Sequence, residues 1–173
     1  AANGEIVSFI LAKEDEKDFM AEVTKIKESK PDAVVFTNYG YTHISAKRLK
    51  NIGVDVPFFA VLIDEDRVKN AEGAFEGTVV ATSFTPSQAF VSKYVAKFGE
   101  QPDISADTSY DAIKLIAQAM ESTQSTDATS VKNYLNKLNS VTGASGKLTF
   151  DGKGGVTKQA DFMVVKNNRI VEE

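Results

Sequence analysis

Apolar positions come along this chain in two rhythms, and the change from one to the other marks out its elements. Residues 33–36 (Ala33, Val34, Val35, Phe36) form an unbroken apolar run that passes directly into the polar, aromatic stretch Thr37-Asn38-Tyr39-Gly40-Tyr41. Such a run predicts a strand buried on both faces with a polar tip at its C-terminal end. Before it, Phe19, Val23 and Ile26 recur at three- and four-residue spacing, which predicts an amphipathic helix over 18–29 with Asp15 or Asp18 as its cap. After it, Ile44, Leu49 and Ile52 mark a helix over 42–52 that Gly53 ends.

The same alternation extends in both directions. Residues 5–12 are β-branched and apolar enough to predict a buried strand, and Gly4 suits a helix C-cap or an ordinary turn. A third strand is expected over 56–63, opening with Pro57 and ending in the polar tip Asp64-Glu65-Asp66-Arg67. A short helical or irregular segment over 68–74 and a fourth strand over 78–84 follow. Strand and helix alternate, which is the mark of a mostly parallel α/β sheet. From Thr85-Pro86-Ser87 the rhythm shifts, and helices are expected over 87–98, 106–122 and 130–138 with no strand between them. The chain closes with a flexible turn at 143–146, a strand over 147–150, a tight turn at 151–155, and a hairpin of 160–165 and 169–171 about Asn167-Asn168.

Composition narrows the chemistry. The 173 residues hold no Cys and one His, so there is no disulfide framework, no thiolate nucleophile and no Cys- or His-rich metal site. A net charge of −4 with scattered Lys and Arg argues against nucleic acid as a partner. No apolar run is long enough for a membrane span. His43 stands alone beside Tyr41 and Thr42, and Gly152, Gly154 and Gly155 lack the flanking strand, Lys and helix of a phosphate loop. The start, Ala1-Ala2-Asn3-Gly4, has no initiator Met and no signal-type segment, and reads as cut from something longer.

Five short motifs occur in order: Lys17-Asp18-Phe19 opening a helix, Ile26-Lys27 to Pro31-Asp32-Ala33-Val34-Val35, Glu76-Gly77 before a strand, Ser109-Tyr110-Asp111-Ala112 opening a long helix, and Val141-Thr142-Gly143-Ala144-Ser145-Gly146-Lys147-Leu148-Thr149-Phe150-Asp151. In that order they resemble the periplasmic branched-chain amino acid binding proteins of ABC importers, extracellular ligand-binding receptors of the type I solute-binding fold. The resemblance implies the second half of a two-lobed clam-shell of mostly parallel sheets with helices on both faces. Residues 1–84 and 162–173 would belong to the C-terminal lobe, and 87–160 would be the segment returning to the N-terminal lobe.

It also implies a non-enzymatic, cofactor-free role: capture of an amino acid (Leu, Ile, Val or a similar small solute) by hinge closure, outside the cytoplasm, with a lipoprotein anchor as one option. The partners implied are an ABC permease and the missing N-terminal half, present as another polypeptide or replaced by a second copy of this chain. In open parallel sheets ligands sit beyond the carboxyl ends of the strands. The resemblance puts the ligand's ammonium there, on a tyrosine and an acid. Tyr39 matches the tyrosine, Asp64 is the first candidate for the acid and Glu65 the second, with Asn38 and Tyr41 beside them. For Tyr110 and Asp111 a structural reading is expected, the acid favouring the helix dipole in a first turn. The rival readings are a sensing domain of a receptor or regulator on the same fold, and a flavodoxin-like or hydrolase-type enzyme using Asp64 or Asp66, which would need a partnered nucleophile or a metal cluster.

Overall fold

A computed structural model gives the fold and describes residues 4–11 and 18–172. In chain order its elements are α1 (Met20–Glu28), β1 (Val34–Phe36), α2 (Thr42–Asn51), β2 (Phe58–Val61), α3 (Glu65–Asn70), β3 (Val79–Thr82), α4 (Gln88–Phe98), α5 (Ala106–Thr123), α6 (Ala128–Leu135), β4 (Ser140–Gly143), β5 (Gly146–Phe150), β6 (Val156–Lys158), β7 (Asp161–Lys166) and β8 (Arg169–Glu172). The described residues divide into two compact units, one drawn from 1–82 with 162–173, the other from 83–161.

The first unit is built on a five-stranded sheet in the order β1-β2-β3-β7-β8, with β1, β2 and β3 parallel and β7 antiparallel to β8. Val34, Phe36, Phe58, Ala60, Val80 and Val165 share one buried face, and against it lie Phe19 and Val23 before and in α1, Ala46 and Leu49 of α2, and Val68 of α3. Three rings lock the centre: Phe36 meets Phe58 edge-on at 5.3 Å and Phe75 edge-on at 5.8 Å. Edge-to-face pairs of this kind are the favoured aromatic geometry. The β7–β8 hairpin turns through Asn167 and Asn168, both at positive φ (53° and 57°), the conformation a two-residue turn of this hand needs. Glu76 accepts from the Asn167 amide at 3.0 Å and so ties that turn back to the sheet.

Two expectations for this unit are corrected. At β1 and β2 the face turned away from the core cluster is exposed: Val35 is 60% exposed, and Phe59 and Val61 are each 38% exposed. All three helices contribute to the same buried cluster, which leaves Val35, Phe59 and Val61 outside it, whereas Val164 of β7, beside the core residue Val165, is buried. The strand expected over 5–12 is absent from 4–11, where Ile6, Phe9 and Leu11 are exposed and no sheet partner is present among the described residues. Apolar composition suits a strand, but a strand's amides and carbonyls need a neighbouring chain to bond. Ala12, Asp15 and Lys17 lie outside the described residues; Asp18 is not the cap of α1, whose N-cap is Phe19 without a side-chain cap bond, but it accepts from the Met20 amide at 3.2 Å.

The second unit holds α4, α5 and α6 and an antiparallel sheet in the order β4-β5-β6. Both β4 and β6 were missed as strands, being short and mostly polar. The stretch 143–146, expected as a flexible turn, is a tight hairpin turn with Gly143 paired to Gly146. Asp111 fixes it. That carboxylate is buried and accepts from the Ala144 amide (2.8 Å), the Ser145 amide (2.8 Å) and the Ser145 hydroxyl (2.6 Å). The structural role expected for Asp111 holds, but helix-dipole stabilisation is not its reason: α5 begins at Ala106, so Asp111 lies past the first turn. The same hairpin turn receives the Ser87 amide at the Ala144 carbonyl (2.7 Å), which anchors the start of α4. Close by in α5, fully buried Asp107 pairs with Lys158 at 3.2 Å, and Lys158 also donates to the Ser83 carbonyl.

Gly143 is required by this clasp, since a Cβ there would fall 2.4 Å from an Asp111 carboxylate oxygen. Gly143→Ala is expected to destabilise the protein by about 1.5–3 kcal/mol or more, the worth of a hydrogen bond to a charged group. In an Asp111→Ala background the same substitution should cost clearly less, because contacting residues are energetically coupled. Urea unfolding of the two single variants and the double variant measures the difference.

Candidate functional site

Parallel pairing of β1 and β2, with Val34 opposite Phe58 and Phe36 opposite Ala60, sends the segments after both strands out of one edge of the sheet. There the structure brings together Tyr39 and Asp64, two of the residues singled out from sequence. The Tyr39 hydroxyl donates to Asp64 Oδ2 at 2.7 Å. Asp64 is also the N-cap of α3: its backbone is extended (φ −107°, ψ 172°) and its Oδ1 accepts from the Arg67 amide at 2.7 Å.

A third residue completes the cluster. Arg67 Nη1 donates to the same Asp64 Oδ2 that Tyr39 uses, and Arg67 Nε donates to the carbonyls of Tyr39 and, at 3.2 Å, Gly40. The guanidinium carbon stands 3.5 Å from the centroid of the Tyr39 ring, a cation–π stack. Side-chain exposure is 11% for Asp64 and 21% for Arg67, while Tyr39 is 43% exposed, so the ring covers a largely buried ion pair. Burial alone would push the Asp64 carboxyl up, but the Tyr39 hydroxyl, the Arg67 amide and the Arg67 guanidinium together hold it below its ordinary value of 3.8. Arg67 was not weighed from the sequence as a site residue. Its signal was present in Asp64-Glu65-Asp66-Arg67, because residues three apart on one helical turn face each other.

The other three candidates are engaged differently. Glu65 turns away to accept from the Ile170 amide at 3.1 Å and so ties α3 to β8. Tyr41 is half-buried against the core, its ring 6.1 Å from that of Phe19. Asn38 is exposed, and its carbonyl accepts from the Thr42 hydroxyl at 2.7 Å at the start of α2. His43, one turn on, has its pKa lowered by burial and by the Arg67 and Lys47 charges, against a smaller opposing pull from Asp64. Its buried Nδ1 has no hydrogen-bond partner among the described residues, and His43 lines, with Lys47, Arg48 and Asn70, a concavity of about 470 Å³ beside α2. No group of three or more His, Cys, Asp or Glu positioned to hold a metal occurs among the described residues.

The profile of the periplasmic binding protein family matches residues 1–169. The chain belongs to that family. Among solved structures, this periplasmic binding protein chain resembles a leucine-binding protein from Thermotoga maritima (23% identity, TM-score 0.80, covering 95% of this chain and 50% of that one). It also resembles the leucine-, isoleucine-, valine-, threonine- and alanine-binding protein from Brucella ovis in its closed conformation (20%, 0.79, 94% and 45%). A third likeness is to a solute-binding protein of an ABC transporter from Rhodopseudomonas palustris in complex with benzoate (17%, 0.76, 97% and 49%). At these identities the likeness is one of fold. The chain spans about half the length of these relatives, and no curated protein sequence matches it. Family and fold are those that the sequence motifs implied.

The depressed Asp64 pKa fixes the sign of a pH effect. A carboxyl whose folded pKa lies below its unfolded value contributes stability that is fully present above 3.8 and is lost as pH falls through the folded value. Asp64→Asn is therefore expected to flatten the loss of stability below pH 3.8 while leaving the profile above neutrality unchanged. Urea unfolding followed across the acid range, for both proteins, checks it.

Proposed function

We propose that this chain captures a small carboxylate-bearing solute outside the cytoplasm and presents it to the permease of an ABC importer. The single observation that carries the reading is the Tyr39–Asp64–Arg67 cluster at the carboxyl edge of a parallel sheet, in a chain of a solute-binding family. Ligands of open α/β sheets gather at that edge. The solutes for which two fold relatives are named, leucine and benzoate, differ in most respects but share a carboxylate. Leu, Ile and Val are among the candidates on this reading, and retention by hinge closure belongs to the same proposal. So does a covering partner for the bare apolar face of Val35, Phe59 and Val61: the other half of a relative-length protein, or a second copy of this chain.

A ligand that binds only the native state raises its melting temperature. Thermal shift against leucine, isoleucine, valine, benzoate, glucose and adenosine monophosphate should show a rise with at least one of the first four. A rise confined to the sugar or the nucleotide would overturn the proposal.

A further inference from the structure

The second unit carries a groove that the solute-binding reading does not use. Its walls are α4 and α5, and it encloses about 730 Å³, within the roughly 300–1,000 Å³ of small-molecule sites. One end is fixed by the hairpin turn: the Ser87 amide, at the start of α4, donates to the Ala144 carbonyl at 2.7 Å, and Asp111 of α5 accepts from the Ala144 amide at 2.8 Å. The rings of Phe98, Tyr94, Phe90 and Tyr110 follow one another along it, with centroid separations of 4.6, 5.8 and 5.4 Å, the last step joining α4 to α5. Both walls leave apolar surface open, Phe98 being 55% and Ile113 68% exposed.

The charges around these rings have one sign. Lys93, Lys97 and Lys114 line the groove, and no Asp or Glu does so among the described residues. α4 contains no acid, and Asp107 and Asp111 of α5 are buried and already bonded, the first to Lys158 and the second to the hairpin turn. All three lysines are exposed, and none forms an ion pair among the described residues. In a chain of 24 acids and 20 bases such a stretch is a local exception. A second copy packed through the same face would set lysine against lysine. A protein segment fits poorly too, because Phe90 to Phe98 spans only about 12 Å at the helical rise, whereas stable protein interfaces bury about 1,200–2,000 Å².

We propose that this groove binds a free amphiphilic organic anion, a molecule with an apolar body and a carboxylate or comparable head. The body lies along the aromatic series. The head meets the lysine ammoniums, whose stems can lie along apolar surface while their charges stay in water. The site is distinct from the Tyr39–Asp64–Arg67 edge, and the inference does not rest on the solute-binding reading.

Decanoate, decanol and decylammonium share one alkyl body and differ in the sign of the head. Each is titrated as monomer into the 173-residue chain, and the nuclear magnetic resonance shifts of the Tyr94, Ile113 and Ala144 amides are followed, with the Tyr39 amide as the reporter of the other edge. Decanoate is expected to move the groove amides saturably, at roughly tenfold higher affinity than decanol, since each exposed ion pair contributes a factor of about one to five. Decylammonium should bind more weakly than decanol. In the triple variant Lys93→Gln, Lys97→Gln, Lys114→Gln, decanoate should fall to the level of decanol while decanol is unchanged, and added salt should weaken decanoate only in the unmodified chain. Decanol or decylammonium binding as tightly as decanoate, or equal loss of decanoate and decanol in the variant, overturns the proposal. So does a shift of the groove amides with protein concentration alone, which would make a second copy the occupant. Movement confined to the Tyr39 amide overturns it as well and leaves the solute-binding reading standing. If the triple variant does not fold, the order of the three probes on the unmodified chain still decides.

Discussion

Parallel pairing of β1 with β2 is the constraint on which the rest of the first unit depends. It aligns Phe36 with Ala60, so the chain leaves both strands at one edge, and it places their alternate residues on the face where Phe36, Phe58 and Phe75 meet. A slip of one residue would turn every one of those side chains to the opposite face. It would also separate Tyr39 from Asp64, since both are only a few residues beyond the paired positions. Core packing and site geometry therefore share one register, and neither can be altered without the other.

The parts of this arrangement that were legible in the sequence are those that local pattern controls. An apolar run ending in polar residues marked β1 and β2, and the residues just after them, Tyr39 and Asp64, are the two that meet. Arg67 was missed because its meaning depends on Tyr39, distant in sequence, whose carbonyl and ring face hold the guanidinium. Glu65 stood second to Asp64 as the candidate acid, and one residue further along the chain its carboxylate bonds β8 instead. Burial on both faces of the strands was not decided by their own residues either. Val35 and Phe59 are apolar, but whether a layer covers them depends on where the helices go, and α1, α2 and α3 all join one cluster.

In the second unit, two motifs distant in the chain prove to be one object. The Tyr110-Asp111 pair and the Gly143-Ala144-Ser145 turn were read separately, the first as a helix start and the second as a flexible turn. Asp111 binds the turn through three hydrogen bonds, and Gly143 leaves the space its carboxylate occupies. A buried carboxylate must be fully bonded to be tolerated, so the turn is as much a requirement of the helix as the helix is of the turn. Ser87 joins the same point through the Ala144 carbonyl, which extends the dependence to α4.

Asp64 and Arg67 lie three residues apart on one helical turn, and the pair is formed within the chain itself. Seen from a distance, the two charges make a dipole. The field of a dipole dies away faster than that of a lone charge, and at physiological salt even a lone charge is screened within about 8 Å. The tip therefore exerts little long-range pull on ions in solution. Rates of encounter with a solute would be set by diffusion and by the fraction of collisions with the right orientation, with weak dependence on ionic strength, whereas a binding edge carrying an unpaired acid would draw cations in from afar. Selection at this edge is thus confined to short range, and takes place after contact.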